Sequence, residues 1–156
     1  MLGNDIVDLD LAKIQSNWRR KNYLDKIFTA EEQVLISSAK RPDEMVWLLW
    51  SMKESAYKIY NRKTGIRNFA PKSLNCTIYS NTDQIKGTVS IDNDTYFTKS
   101  NIQLQYIHTI AAPVCSKLEE VKVTIYESPN HPGDYKRTKP GCVSHHGQYL
   151  ALVYYN

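Results

Sequence analysis

The stretch Trp50-Ser51-Met52-Lys53-Glu54-Ser55-Ala56-Tyr57-Lys58 sets an aromatic ring, a carboxylate and an ammonium four residues apart. On a helix, Trp50, Glu54 and Lys58 share one face. A carboxylate beside a lysine can hold a divalent cation and steady a phosphate together. It is also the composition of a solvated Glu–Lys pair worth a few tenths of a kcal/mol, the commoner meaning of that spacing. A second acid, Asp5, stands inside the strand-like Gly3-Asn4-Asp5-Ile6-Val7-Asp8. An unpaired buried carboxylate is costly, so Asp5 needs a partner such as a cation, unless it merely caps a turn or helix. Near the end, Val143-Ser144-His145-His146-Gly147 sets a hydroxyl beside two imidazoles, groups that suit phosphate or metal. With no acidic triad member nearby and no HExxH spacing, a hydrolase or a zinc site gains no support. Glu32 reads as the second half of a capping box and His108 as a histidine satisfied within a sheet.

The elements that must position these groups are legible in outline. Asp5-Ile6-Val7 starts a short strand, and Asp8 or Asp10 caps a helix with Leu11, Ile14 and Trp18 on one face. Tyr23 to Phe28 is a short apolar turn. Thr29 followed by Glu32 gives the capping-box pattern ahead of a helix through Val34, Leu35 and Ile36. Pro42 suits the first turn of a long helix, and residues 43 to 61 hold no glycine or proline. Met45, Leu49, Met52, Ala56 and Ile59 make its core stripe, on a different face from Glu54 and Lys58. Gly65 stands just past its expected end. After residue 70 the pattern turns to strands: 74–79, 88–91, 95–99, 106–112, 121–126 and 150–155, with a Pro- and Gly-bearing loop over 127–141. The expected class is α+β, a long helix packed on an antiparallel sheet in one domain spanning 1–156.

Composition narrows the partners without choosing among them. The chain has 156 residues, 42% hydrophobic and 23% charged, with 20 Lys and Arg against 16 Asp and Glu for a net charge of +4. That mild excess favours anionic partners, but it is dispersed, unlike the concentrated footprint of a nucleic-acid binder. Three cysteines, far apart and without a CxxC, argue for a reducing compartment and against a disulfide framework or structural zinc. The acidic N-terminus does not read as a signal peptide, and no apolar run approaches a membrane span. A cytoplasmic protein with no membrane or nucleic-acid partner is the expectation.

Taken together and in order, the motifs are more specific than any one of them. Gly3-Asn4-Asp5-Ile6-Val7, Phe28-Thr29-Ala30-Glu31-Glu32, Trp50 to Lys58, Thr64-Gly65-Ile66 and Val143-Ser144-His145 resemble the 4'-phosphopantetheinyl transferase superfamily, in its short holo-acyl-carrier-protein synthase form. The resemblance is strong over 1–75, thin over 76–140 and returns at 141–155. It implies Asp5 and Glu54 as ligands of Mg²⁺ at the diphosphate of coenzyme A. It implies Glu54 and Lys58 as catalytic groups, with Glu54 or a metal-bound water as the base. Lys53, Lys58, Gly65, Ser144 and His145 would contact coenzyme A. Larger relatives carry a third acid where this chain has Val7, so water or Asp8 would complete the shell. The short relatives are trimers in which the Ser-His pair of one copy faces the acids of the next, so a homotrimer is expected, with an acidic acyl carrier protein or related carrier domain as partner. Residues 113–140 read as an addition. Cys142 stands at the family's usual small residue and His146 is extra, leaving open which imidazole meets phosphate. The rival reading is a non-catalytic coenzyme A or carrier-binding module, which has no need of a paired metal site.

Overall fold

Proline at the first turn of a helix gives up an N–H that would have no partner there. In the computed structural model, which describes residues 1–156, Pro42 opens the longest helix of the chain, Pro42–Thr64. Three shorter helices precede it: α1 (Leu9–Gln15), α2 (Tyr23–Ile27) and α3 (Ala30–Ser38); the long helix is α4. Strands β1 (Gly3–Asp8), β2 (Asn75–Asn81), β3 (Ile85–Ile91), β4 (Asp94–Ile102) and β5 (Tyr106–Ala112) form an antiparallel sheet in the order β1-β5-β4-β3-β2. A second antiparallel sheet, β6-β8-β7, is made of β6 (Val121–Glu127), β7 (Cys142–His146) and β8 (Tyr149–Tyr155).

The stripe on α4 does what its periodicity requires. Leu49, Met52, Ala56 and Ile59 are buried in one core with Val89, Ile107 and Ala111 of the large sheet, Ile36 of α3 and Phe28 just past α2. Each large apolar side chain so buried contributes about 1.5–3 kcal/mol before the entropy of ordering it. The helix crosses β1 so closely that a Cβ on Gly3 would collide with the Ser55 carbonyl oxygen. Two helix serines exploit that approach: Ser51 donates to the Asp5 carbonyl (3.3 Å) and Ser55 to the Thr109 carbonyl (3.2 Å). β1 and its partner β5, paired with Asp5 opposite Thr109, are thus clamped to α4.

The free edge of β1 meets the second sheet through side chains rather than a backbone ladder. The Ile6 N–H donates to Ser144 Oγ (3.0 Å), the Asp8 N–H to His146 Nδ1 (2.8 Å), and Asn4 Nδ2 to the Ala151 carbonyl (3.3 Å). A sheet edge otherwise exposes a row of unpaired donors, so these contacts both cover the edge and join the sheets.

Some expectations shift. Ile14 does not join Leu11 and Trp18 in an apolar face; it is 83% exposed, and α1 ends at Gln15, buries Ala12 and leaves Trp18 in the following bend. Within 113–140, expected as an addition, residues 121–127 form β6, an integral strand of the second sheet. Residues 142–146 are themselves a strand, unpredicted because five residues of mixed polarity carry little period-two signal.

Lys53 gives the largest surprise. It lies at the edge of the apolar stripe and is fully buried, its ammonium bonded to Glu32 Oε1 (2.7 Å) and to the carbonyls of Ile27 (2.9 Å) and Pro71 (2.7 Å). Glu32 keeps its capping-box role, accepting from the Thr29 N–H (2.9 Å), and adds the Cys76 N–H (2.8 Å). Removing one partner of a buried pair leaves an uncompensated charge and costs about 3–5 kcal/mol. Lys53→Met is therefore expected to lose that much in urea unfolding, and Lys53→Met/Glu32→Gln to recover most of it. A loss below about 1 kcal/mol for the single variant would contradict the role given to this pair.

Candidate functional site

The cleft lies where α4, β1, β7 and α1 converge. Because side chains alternate along a strand, Asp5 and Val7 face away from Asn4, Ile6 and Asp8. On α4 the four-residue spacing carries Trp50, Glu54 and Lys58 along one side. Asp5, Val7, Trp50, Glu54 and Lys58 line the same cleft with Ser144, His145 and His146 of β7, Ala12, Gln15 and Ser16 around α1, Tyr23, and Trp47. Its volume is about 480 Å³, inside the range of about 300–1,000 Å³ usual for small-ligand sites.

Lys58 is the centre of the polar arrangement. Its ammonium donates to the Asn4 carbonyl (2.7 Å), stands 3.5 Å from Asp5 Oδ1, and reaches Ser144 Oγ at 3.5 Å. The other carboxylate oxygen, Asp5 Oδ2, is buried without a hydrogen-bond partner. Burial pushes the Asp5 carboxyl up to about 7; Lys58 opposes that rise and the neighbouring Glu54 adds to it. Burial likewise raises Glu54, again against Lys58. Two carboxyls both raised by burial at one cleft, one with an unsatisfied oxygen, form a hard-oxygen donor pair of the kind that holds Mg²⁺ together with substrate phosphates. The donor set fits such a cation. Behind the site, buried His108 contacts Asn4 (Nδ2 to Nε2, 3.2 Å). Burial, helped by the Lys58 charge, drives its imidazole down to about 4, so it is neutral near pH 7.

The expected site residues divide accordingly. Asp5, Glu54, Lys58, Ser144 and His145 come together in one chain. Within the single chain Ser144 also contacts Lys58, at 3.5 Å. Lys53, expected at coenzyme A, is sealed in its pair with Glu32 on another side of α4. Gly65, also expected there, is exposed, does not line the cleft, and closes the last turn of α4 at φ 74°, a left-handed conformation suited to glycine. Asp8 is engaged at both carboxylate oxygens: Oδ1 caps α1 through the Leu11 N–H (3.1 Å) and Oδ2 accepts the Gln148 N–H (3.1 Å). Of the two imidazoles, His146 is bonded at both ring nitrogens, to the Asp8 N–H and to Gln15 Oε1 (3.2 Å). His145 is exposed at the cleft, edge-on to His131, and free to meet a ligand. Sequence reasoning missed Tyr23 and Trp47 as cleft walls; the 50/54/58 spacing extends back to 47, the one signal that pointed to Trp47.

Comparison with known proteins bears on the family and the fold. The family model of the 4'-phosphopantetheinyl transferase superfamily matches residues 1–124. Among solved structures the chain is similar to the holo-[acyl-carrier-protein] synthase of Thermotoga maritima, with a TM-score of 0.53 and 12% identity over 97% of this chain and 81% of that one. At that identity the likeness speaks for the fold. No curated protein sequence matches the chain.

A cation that needed both Asp5 and Glu54 would bind only the folded chain, and in that case millimolar Mg²⁺ is expected to raise the melting temperature by a few degrees. Asp5→Asn should abolish that increment in thermal unfolding followed by circular dichroism. An unchanged increment in Asp5→Asn would place the cation elsewhere.

Proposed function

The chain belongs to the 4'-phosphopantetheinyl transferase superfamily, and from that membership we propose that it transfers the 4'-phosphopantetheine group of coenzyme A to a serine of an apo carrier protein, the reaction of a holo-acyl-carrier-protein synthase. The observation that carries the reading is the meeting of Asp5, Glu54 and Lys58 in one cleft, with one Asp5 oxygen left unsatisfied. Binding alone would not call for two carboxyls whose ionisation burial disfavours at one cleft.

In this reading the serine hydroxyl oxygen forms a new bond to the phosphorus that bears the pantetheine arm. The bond between that phosphorus and the bridging oxygen breaks, and adenosine 3',5'-bisphosphate leaves with the electron pair. The serine proton passes to Glu54, directly or through one water; burial raises its carboxyl and so makes it the better proton acceptor. Lys58, fixed by the Asn4 carbonyl and Asp5, presents its charge to the diphosphate oxygens as negative charge builds there. Mg²⁺ at Asp5 and Glu54 would supply charge neutralisation of the diphosphate. Ser144 and His145 line the cleft from β7 and would meet the same phosphates. Trp47, Trp50 and Tyr23 give the cleft an aromatic wall. The net charge of +4 suits an acidic carrier and chiefly sets encounter rate. A homotrimer remains the expectation from the family resemblance, although one chain already brings the named groups together. No helix is long and apolar enough to cross a membrane.

Incubated with coenzyme A, Mg²⁺ and an apo-acyl carrier protein, the protein is expected to add one phosphopantetheine mass to the carrier, read by intact mass spectrometry. Glu54→Gln should lower turnover by a factor of about 10² or more while keeping the wild-type circular dichroism spectrum. No mass shift on any of several apo-carriers would favour the non-catalytic binding module instead.

A further inference from the structure

The turn between β7 and β8 does more than connect two strands. His146, Gly147 and Gln148 all close on one residue, Asp8, at the junction of β1 and α1. The Asp8 N–H donates to His146 Nδ1 (2.8 Å), and the Gln148 N–H donates to Asp8 Oδ2 (3.1 Å). Between them Gly147 has φ 56°, and a Cβ there would collide with the Asp8 carboxylate. Asp8 Oδ1 meanwhile caps α1 through the Leu11 N–H, and His146 Nε2 lies 3.2 Å from Gln15 Oε1 at the far end of the same helix. The two contacts fix the tautomer: Nδ1 must be the acceptor for Asp8, so Nε2 carries the hydrogen and donates to Gln15. One neutral imidazole therefore ties β7, β1 and both ends of α1 together.

Those elements form two walls of the cleft. β1 carries Asp5, three residues before Asp8, and α1 contributes Ala12 and Gln15 to the lining. We propose that His146 is a positioning residue, the active member of a His146–Gly147–Gln148 clasp that sets the β1 strand and the α1 wall for phosphoryl transfer without itself touching substrate. This rests on the transferase reading for its effect on activity; the clasp itself does not. The charged and titratable groups facing His146 are Asp8 of β1 and His145 of its own strand, while α1 offers it the neutral Gln15. Burial lowers the His146 imidazole, His145 adds to that, and Asp8 opposes it. Protonation puts a hydrogen on Nδ1 and turns an acceptor into a donor facing the Asp8 N–H, so the clasp opens in acid.

Three variants separate positioning from mere structural support. His146→Ala removes both bonds. His146→Asn keeps an oxygen where Nδ1 accepts from Asp8 but cannot titrate. Gly147→Ala forces the turn off the Asp8 carboxylate. With the free protein, hydrogen exchange of the Asp8 amide is expected to accelerate at least about tenfold in His146→Ala and Gly147→Ala. It should stay near wild type in His146→Asn, with Ile107 and Ala111 amides unchanged throughout. In the carrier-modification assay, displacement of the β1 wall is expected to cost His146→Ala a factor of about ten to a hundred in kcat/KM. His146→Asn should restore most of it, and should lack the loss of Asp8 amide protection, relative to the Ile107 and Ala111 amides, that wild type shows as pH falls below the ordinary histidine range. Unchanged Asp8 exchange in His146→Ala would overturn the clasp even if the enzyme were inactive towards every carrier. Altered exchange with unchanged kcat/KM in an active enzyme would overturn the positioning role. Should His146→Ala fail to fold, the His146→Asn comparison decides: an acid loss of Asp8 amide protection identical to wild type overturns the proposal.

Discussion

A lysine that never reaches solvent determines which way the long helix faces. Lys53 and Glu32 are held 2.7 Å apart with essentially no exposure, and every polar atom of the pair is met by backbone or by the other partner. Burying two charges costs several kcal/mol per ion before any return, so such a pair persists only where its geometry is fully satisfied. That strictness is its value here. Rotation of α4 would strand the ammonium, so the pair locks the helix in azimuth as well as in place. Residues 53 and 54 lie about 100° apart around the axis. With Lys53 sealed against α3 and the Pro71 turn, Glu54 and then Lys58 must point into the cleft.

The second wall is set by a different device. β1 is the first strand in the sequence yet pairs with β5, and its outer edge is closed by hydroxyl, imidazole and amide groups rather than by another ladder. Ser144 thereby has two contacts, accepting from the Ile6 N–H and lying within reach of Lys58. The same contacts that join the sheets also bring β7 to the cationic centre. Fold and site are therefore not separable along β1: its amides hold the sheets together, its Asn4 carbonyl holds Lys58, and its Asp5 carboxyl lies at the floor of the cleft.

What the sequence revealed and what it hid follow from the range of the forces involved. The bounds of α4 are local: proline at the first turn, an unbroken apolar stripe and a glycine at the end. The Thr29–Glu32 capping box is also local and forms with both bonds. The juxtaposition of Asp5 with Glu54 and Lys58 was legible only through the ordered motifs, since no spacing rule connects residues some fifty positions apart. Lys53 was misread because a lysine beside a reactive glutamate looks solvent-facing until Glu32 and two distant carbonyls are seen to enclose it. The solvent exposure of Ile14 was hidden because α1 stops one turn short of Trp18. β7 escaped notice because its pattern serves β1, 138 residues away in the chain, where Ser144 and His146 accept amide hydrogens.

The central claim is that two carboxylates, one from β1 and one from α4, share one divalent cation beside a diphosphate. Crystals grown with Mn²⁺ and coenzyme A test it by anomalous scattering. The account predicts one strong peak within coordination distance of Asp5 Oδ2 and a Glu54 carboxylate oxygen, with the diphosphate on its open side and Lys58 beside it. A bound coenzyme whose diphosphate lies away from this pair, or a peak that touches neither carboxylate, would contradict it.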